Sequence, residues 1–353
     1  MKVLMVGPDR SVHGGISGVV NNYYEAGLDQ KIDLTYIGTM VEGSKLRKLL
    51  KAAEAYMRFC MKLPKNQIVH INMASDSSYY RKSVFIRTAK KFGKKVVIHQ
   101  HGGDFQTFYR EQLSDKGRRR LRETLAMGDT FLVLAPVWKE FFSELIDAKK
   151  IIVFPDTISI REPFEKQYGQ HKILFLGRLC KAKGLQELIR IIPALKRECP
   201  DVKIYLGGNW EDKELCALAA EYPDTVTWLG WVSGEMKQKY LLACDVFVLP
   251  SHFEGQSLSI LEAMASYCAV VASRTGGIPQ MITEDETGIL VNPKDEKDLL
   301  RGLLKVLKDP ELCRRLGNEA RKKVEREFNL SSNIEQLLEI YRKVCGTDGN
   351  LSS

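Results

Sequence analysis

Short apolar runs alternate with stretches of helical periodicity along this chain, and the series runs twice. Residues 3–6, 34–37, 68–71, 96–99 and 130–134 carry the first series; residues 173–176, 202–206, 226–229, 246–249 and 269–273 carry the second. Continuous apolar runs of this length suit strands buried on both faces, and the helices between them supply the crossovers of a parallel sheet. The expected fold class is α/β, with two doubly wound parallel-sheet (Rossmann-like) domains facing across a cleft. At 353 residues the chain is long enough for two cores of ordinary size. The polar segment 161–170 reads as the linker, giving a first domain over residues 1–165 and a second over 170–330. A last helix over residues 331–345 is expected to pack back on the first domain. The tail, residues 346–353, reads as disordered.

Composition narrows the class of function. The chain is 44% apolar and 27% charged, as soluble globular proteins are. No apolar run approaches the ~20 residues that span a bilayer. The stretch from Met1 to Gly7 reads as a first strand, not as a signal peptide. Eight cysteines form no C-x-x-C pair or metal-like cluster, the pattern of reduced structural thiols in a cytoplasmic protein. Charge is distributed unevenly. Residues 1–168 carry 28 Lys/Arg against 18 Asp/Glu, whereas residues 169–353 carry 25 against 26. A basic first half calls for an anionic partner of that half. Residues 44–62 read as a basic amphipathic helix with Leu46, Leu49, Leu50, Ala53, Tyr56, Met57 and Cys60 near one face. That face either packs on a core or meets an anionic lipid surface. Residues 116–122 form a second cationic cluster. No nucleic-acid-binding module is present in the pattern, and none is expected.

Candidate site residues gather just beyond the strand ends, where open α/β sheets bind ligands. Glu254 follows the run 246–249, and Glu262 sits eight residues on, within a largely apolar helix that begins near Ser257. A carboxylate among apolar neighbours is costly unless hydroxyl or amine donors meet it. The amides of Gly255, Gln256 and Ser257, near the helix start, can hold a phosphate or a sugar oxygen. Arg178 and Lys183 follow the run 173–176, where a guanidinium fork and a point charge can together meet a diphosphate. In the first half, Gly14 and Gly15 lie in a loop after the first strand. That loop lacks a full G-x-G-x-x-G and a following ribose-binding acid, which argues against nicotinamide. His99 and His101 share one side of a strand, but no third ligand is evident, so no metal site is expected. His101, followed by Gly102 and Gly103, reads as a hydrogen-bonding group at the cleft.

Together these residues resemble the retaining glycosyltransferase family 4, with its GT-B fold. Its E-x7-E motif is Glu254 to Glu262, its G-R-x4-K-G motif is Gly177-Arg178 to Lys183-Gly184, and its T-G-G-I-P loop is Thr275 to Pro279. The resemblance covers about residues 3–345 and is densest in the second half. It implies a hexosyltransferase with a nucleoside-diphosphate sugar as donor substrate, no cofactor and no metal. Glu262 would hold ribose hydroxyls, Glu254 the sugar, and the amides of residues 256–258 the sugar and phosphate. Arg178 and Lys183 would neutralise the leaving diphosphate, His101 would contact the sugar, and Gly14-Gly15 would shape the opposite wall. The family usually retains anomeric configuration by same-face attack with no agreed protein nucleophile. The acceptor expected is a saccharide, lipid-linked and reached at the inner membrane face, as in polysaccharide assembly. A soluble sugar-phosphate acceptor and a non-catalytic nucleotide-sugar binder are the alternatives. The chain departs from the family at Gln256, where Phe or Leu is common, and at Gln280, where Glu is. It also reads Pro155-Asp156-Thr157 in place of Pro-Asn-Gly.

Overall fold

A computed structural model describes residues 1–346, so most of the tail expected to be disordered lies outside the described residues. The chain forms two compact units: Met1–Ser159 together with Leu330 onward, and Ile160–Asn329. Each unit is built on a six-stranded sheet in which every neighbouring pair is parallel.

The first sheet contains β1 (Lys2–Gly7), β2 (Asp33–Gly38), β3 (Ile68–Met73), β4 (Lys95–Gln100), β5 (Thr130–Val133) and β6 (Ile151–Val153), in the order β2-β1-β3-β4-β5-β6. The second contains β7 (Lys172–Leu176), β8 (Lys203–Gly207), β9 (Val226–Gly230), β10 (Val246–Leu249), β11 (Ala269–Ser273) and β12 (Ile289–Val291), in the order β12-β11-β10-β7-β8-β9. β3 and β10 are buried at every residue, as strands covered on both faces must be. β6 and β12 have three residues each and complete sheets in which the sequence shows five runs. In the second sheet the chain winds one way from β7 to β9 and the other way from β10 to β12. The topological switch therefore falls between β7 and β10.

Segment 161–170 is not a free linker; it packs on the second unit. Lys166 Nζ donates to the carbonyls of Leu241 (2.6 Å) and Ser266 (3.0 Å), and Tyr168 donates its hydroxyl to the Tyr267 carbonyl. The boundaries fall instead after Ser159 and after Asn329. The last helix, Leu330–Cys345, belongs to the first unit. Its Tyr341 is fully buried with the hydroxyl 2.7 Å from His70 Nδ1, and Asn333 Nδ2 donates to the Pro155 carbonyl.

The basic helix spans Lys45–Lys62 and is capped by Ser44, whose Oγ accepts from the Arg47 amide. It buries Ala55 and Phe59, with Phe59 edge-on to Phe85 at 4.9 Å between ring centroids. Of the face read as apolar from the sequence, Tyr56 packs on the core, whereas Leu46, Leu49, Leu50 and Met57 are 61–68% exposed, as is Met61 beside them. Helical spacing locates a stripe but not the side on which the core lies. Here Phe59, the larger payload, turns inward and leaves the aliphatic stripe in solvent. All eight cysteines are free. No helix of the described residues is long and apolar enough to cross a membrane.

Candidate functional site

The second unit concentrates the site at the switch point of its sheet. β11, β10 and β7 are neighbours, and the loops that leave their carboxyl ends are tied to one another. The His252 amide donates to the Ala182 carbonyl at 2.9 Å, and Thr275 Oγ1 donates to the His252 carbonyl at 3.1 Å. His252 itself is held by Glu187, 3.0 Å from Nε2 to carboxylate. The loop after β7 folds into a turn over Lys181–Lys183 and ends at Gly184, which has φ of 70°. A Cβ there would lie 1.9 Å from the Pro250 carbonyl oxygen, so only glycine lets the two loops approach this closely.

That approach brings Lys183 to Glu254. Lys183 Nζ lies 2.5 Å from Glu254 Oε1, and Ser251 Oγ donates to the same oxygen at 2.8 Å. Glu254 is 7% exposed, so the ammonium and the hydroxyl replace the water that its charge has lost. Ser257 then caps the helix Leu258–Ala265, its Oγ accepting from the Ile260 amide. The amides at Leu258 and the next residue stand at the positive end of that helix. The other end is gripped by Arg321, a buried side chain from the helix Pro310–Glu327. Its guanidinium donates to the carbonyls of Ala265 (2.7 Å) and Arg161 (2.5 Å).

Glu262 is less enclosed than its neighbours suggest. It is partly exposed and pairs at 2.5 Å with Lys237 of the helix Gly234–Ala243. Arg178 is half-exposed and pairs with Glu211 at 3.1 Å. The site thus holds cations and carboxylates in matched pairs: Lys183 with Glu254, Lys237 with Glu262, Arg178 with Glu211. Lys237, Ser251, Glu211 and Arg321 were not read from the sequence. Each comes from outside the motif it serves, so no local spacing marks it.

Gly14, Gly15 and His101 lie on the first unit. Gly14 precedes the helix Gly15–Glu25, and a Cβ on either glycine would meet nothing within 4 Å. The His101 side chain is turned inward, 5% exposed, with Nε2 2.9 Å from Asn72 Oδ1 and Nδ1 3.5 Å from Asp156. Both of its ring nitrogens thus face side chains of the first unit. Lys82 was also missed: it is buried, with Nζ bonded to Thr39 Oγ1, and burial holds its ammonium well below the usual lysine range. The one group that could hold a cation among the described residues is His99, His101 and Asp156.

The comparisons with known proteins bear on the fold and on the second unit. Residues 156–323 match the family model described as Glycosyl transferases group 1. An uncharacterized glycosyltransferase of Methanocaldococcus jannaschii is 31% identical over 191 residues, which cover 53% of this chain and 48% of the relative. The chain spans about half the length of the curated relatives it matches. Solved structures match along nearly the whole chain. Sucrose-phosphate synthase from Thermosynechococcus elongatus gives a TM-score of 0.80 at 21% identity, covering 98% of this chain and 100% of that one. Anabaena HepE in complex with UDP-glucose gives 0.75 at 16% identity, covering 97% and 100%. At such identities the structures establish the fold, which is the α/β GT-B fold. The region 156–323, which carries the loops at the switch point, is similar to the glycosyl transferases group 1 family.

Proposed function

We propose that this chain is a retaining, metal-independent hexosyltransferase that moves a hexose or N-acetylhexosamine from a nucleoside-diphosphate sugar to a saccharide acceptor. The observation that carries the reading is the Lys183–Glu254 pair at the switch point, beside the start of the helix Leu258–Ala265. Lys183 and Arg178 stabilise negative charge as it develops on the departing diphosphate, which is the largest electrostatic demand of the transfer. Glu254, released from Lys183, accepts hydrogen bonds from sugar hydroxyls. Glu262, released from Lys237, accepts them from the ribose. No protein nucleophile is assigned. HepE, solved with UDP-glucose, supports a nucleotide-sugar donor.

The acceptor is lipid-linked and is reached at an anionic membrane surface, in the assembly of a capsule, exopolysaccharide or O-antigen. Support comes from the helix Lys45–Lys62. Its outward stripe of Leu46, Leu49, Leu50, Met57 and Met61 is flanked by Arg47, Lys51, Arg58 and Lys62. Exposed apolar side chains beside cations suit the headgroup region of an anionic bilayer, where each Lys or Arg contributes about 1 kcal/mol. The second reading is a soluble sugar-phosphate acceptor, favoured by the structural likeness to sucrose-phosphate synthase.

Two measurements test these statements. Titration with UDP, GDP, ADP and CDP in chelator should show selective binding of one nucleotide, weakened in Glu262→Ala; no binding to any of them sinks the transferase reading. Sedimentation with anionic vesicles at low and high salt should show salt-sensitive binding. A protein that ignores the vesicles while glycosylating a sugar phosphate supports the soluble acceptor.

A further inference from the structure

His252 meets three other segments of the second unit, each through a different group. Its amide donates to the Ala182 carbonyl at 2.9 Å, its carbonyl accepts from Thr275 Oγ1 at 3.1 Å, and its ring faces Glu187 at 3.0 Å. The first two contacts use the backbone and are open to almost any residue. Only the third depends on the imidazole. Glu187 lies in the helix Leu185–Arg190, which follows the turn that carries Lys183. A carboxylate only accepts hydrogen bonds, so His252 Nε2 donates and Glu187 Oε1 receives.

Both side chains are enclosed, at 14% and 12% exposure, and Glu187 Oε2 is buried with no hydrogen-bond partner. In many proteins apolar side chains of similar volume replace such a pair with no loss of stability. What the pair adds is direction: one hydrogen bond sets how the loop after β10 lies on the helix. Ser251, next to His252, donates to Glu254 Oε1 at 2.8 Å, and Glu254 itself is two residues on. Across the contact, Ala182 is the neighbour of Lys183, whose Nζ lies 2.5 Å from Glu254. Fixing the imidazole therefore fixes the backbone that carries both members of the Lys183–Glu254 pair.

We propose that Glu187 and His252 are positioning residues: their hydrogen bond holds the loop 250–257 against the helix Leu185–Arg190 and so fixes where the Glu254 carboxylate stands. The consequence for turnover rests on the transferase reading, whereas the holding of the loop does not. Neither residue is assigned a contact with the reacting atoms. Each lies just outside a motif, Glu187 three residues after Gly184 and His252 two before Glu254.

The test compares His252→Phe, which keeps a ring and loses the donor, with His252→Gln, whose amide reaches the place of Nε2 and keeps it. A double variant, His252→Phe with Glu187→Met, leaves no carboxylate stranded and carries the test if the single change fails to fold. Hydrogen exchange of the amides over residues 251–257, melting temperature, binding of UDP, GDP, ADP and CDP, and turnover of UDP-glucose and GDP-mannose are read in the full chain. The double variant should melt as the wild type does, yet exchange faster across the loop. It should also lose about 10²-fold in kcat, the cost of a group misplaced by ~1 Å. His252→Gln should restore slow exchange and most of the rate. Loop exchange unchanged in the double variant overturns the proposal whatever the turnover, and so does full kcat in that variant, which would make the pair a packing contact only. Wild-type protein that binds no nucleoside diphosphate, with the loop loosened in the double variant, upholds the holding role and sinks the transferase reading.

Discussion

The two units share one architecture of six parallel strands and differ in how they handle charge. The second carries 25 Lys/Arg against 25 Asp/Glu, and its site charges are paired with one another. The first carries 28 against 19, so the whole net charge of +9 belongs to it, and its basic helix also leaves an aliphatic stripe in solvent. In the second unit the buried Glu254 is matched by Lys183, as a buried charge requires. In the first unit Lys51 and Arg58 pair with Glu54 on the basic helix, yet the unit keeps an excess of cations.

Breaking the pair at the switch point gives the largest effect. Lys183→Met should lower kcat/KM by about 10²- to 10³-fold, the cost of one electrostatic stabiliser. It should also cost about 3–5 kcal/mol of stability, because Glu254 is left buried and unpaired. Lys183→Met with Glu254→Gln should recover the stability and not the activity. Recovery of both in the double variant would make the pair purely structural and erase the contrast between the units. Glu262→Ala removes an acceptor without enclosing a stranded charge. The expected loss of nucleotide affinity is about 10- to 100-fold, from ~1.5–3 kcal/mol of charged hydrogen bonding, with unfolding unaffected in calorimetry.

On the first unit the contrast is sharpened by changes that leave folding alone. Leu46→Ser, Leu49→Ser and Leu50→Ser together should shift stability within about 0.5 kcal/mol per site, as exposed positions do. The same variant should abolish vesicle binding, and a large loss of stability instead would mean that the stripe is covered by protein. The smallest effect is expected at Lys82. Its folded-state ammonium is depressed by burial, so the unfolded chain binds the proton more readily and stability rises with pH up to the ordinary lysine value near ~10.4. Lys82→Met should therefore raise the melting temperature by about 2–4 °C at neutral pH, with the gain shrinking above pH ~10. A fall in melting temperature would show that the amine is held by more than Thr39.

Much of this architecture was legible in the sequence because buried parallel strands leave uninterrupted apolar runs. β6 and β12 escaped because three residues are too few to show a period. The motifs at Arg178, Lys183, Glu254 and Glu262 were legible because each follows a strand end, and strand ends of a doubly wound sheet converge. Their partners were not. Lys237 reaches Glu262 from a helix 25 positions back, and Arg321 reaches the Ala265 carbonyl from 56 positions on. The burial of His101 was likewise invisible, because a strand pattern tells which residues share a face but not what covers it. The helix Lys45–Lys62 makes the same point: its period was right, but the spacing did not show that Phe59 and Tyr56 turn to the core while the leucines stay in solvent.

The last helix carries one more consequence, for how the chain can be made. The first unit is closed by residues from both ends of the polypeptide: Tyr341 must reach His70, and Asn333 must reach Pro155. During synthesis the second unit, continuous from Ile160 to Asn329, can complete itself while the first still waits for its closing helix to emerge. A fragment ending at Ser159 should be an open, aggregation-prone intermediate. Residues 160–329 are the piece to express alone, and a first unit becomes separable only when residues 330–346 are spliced back onto it by a designed connection.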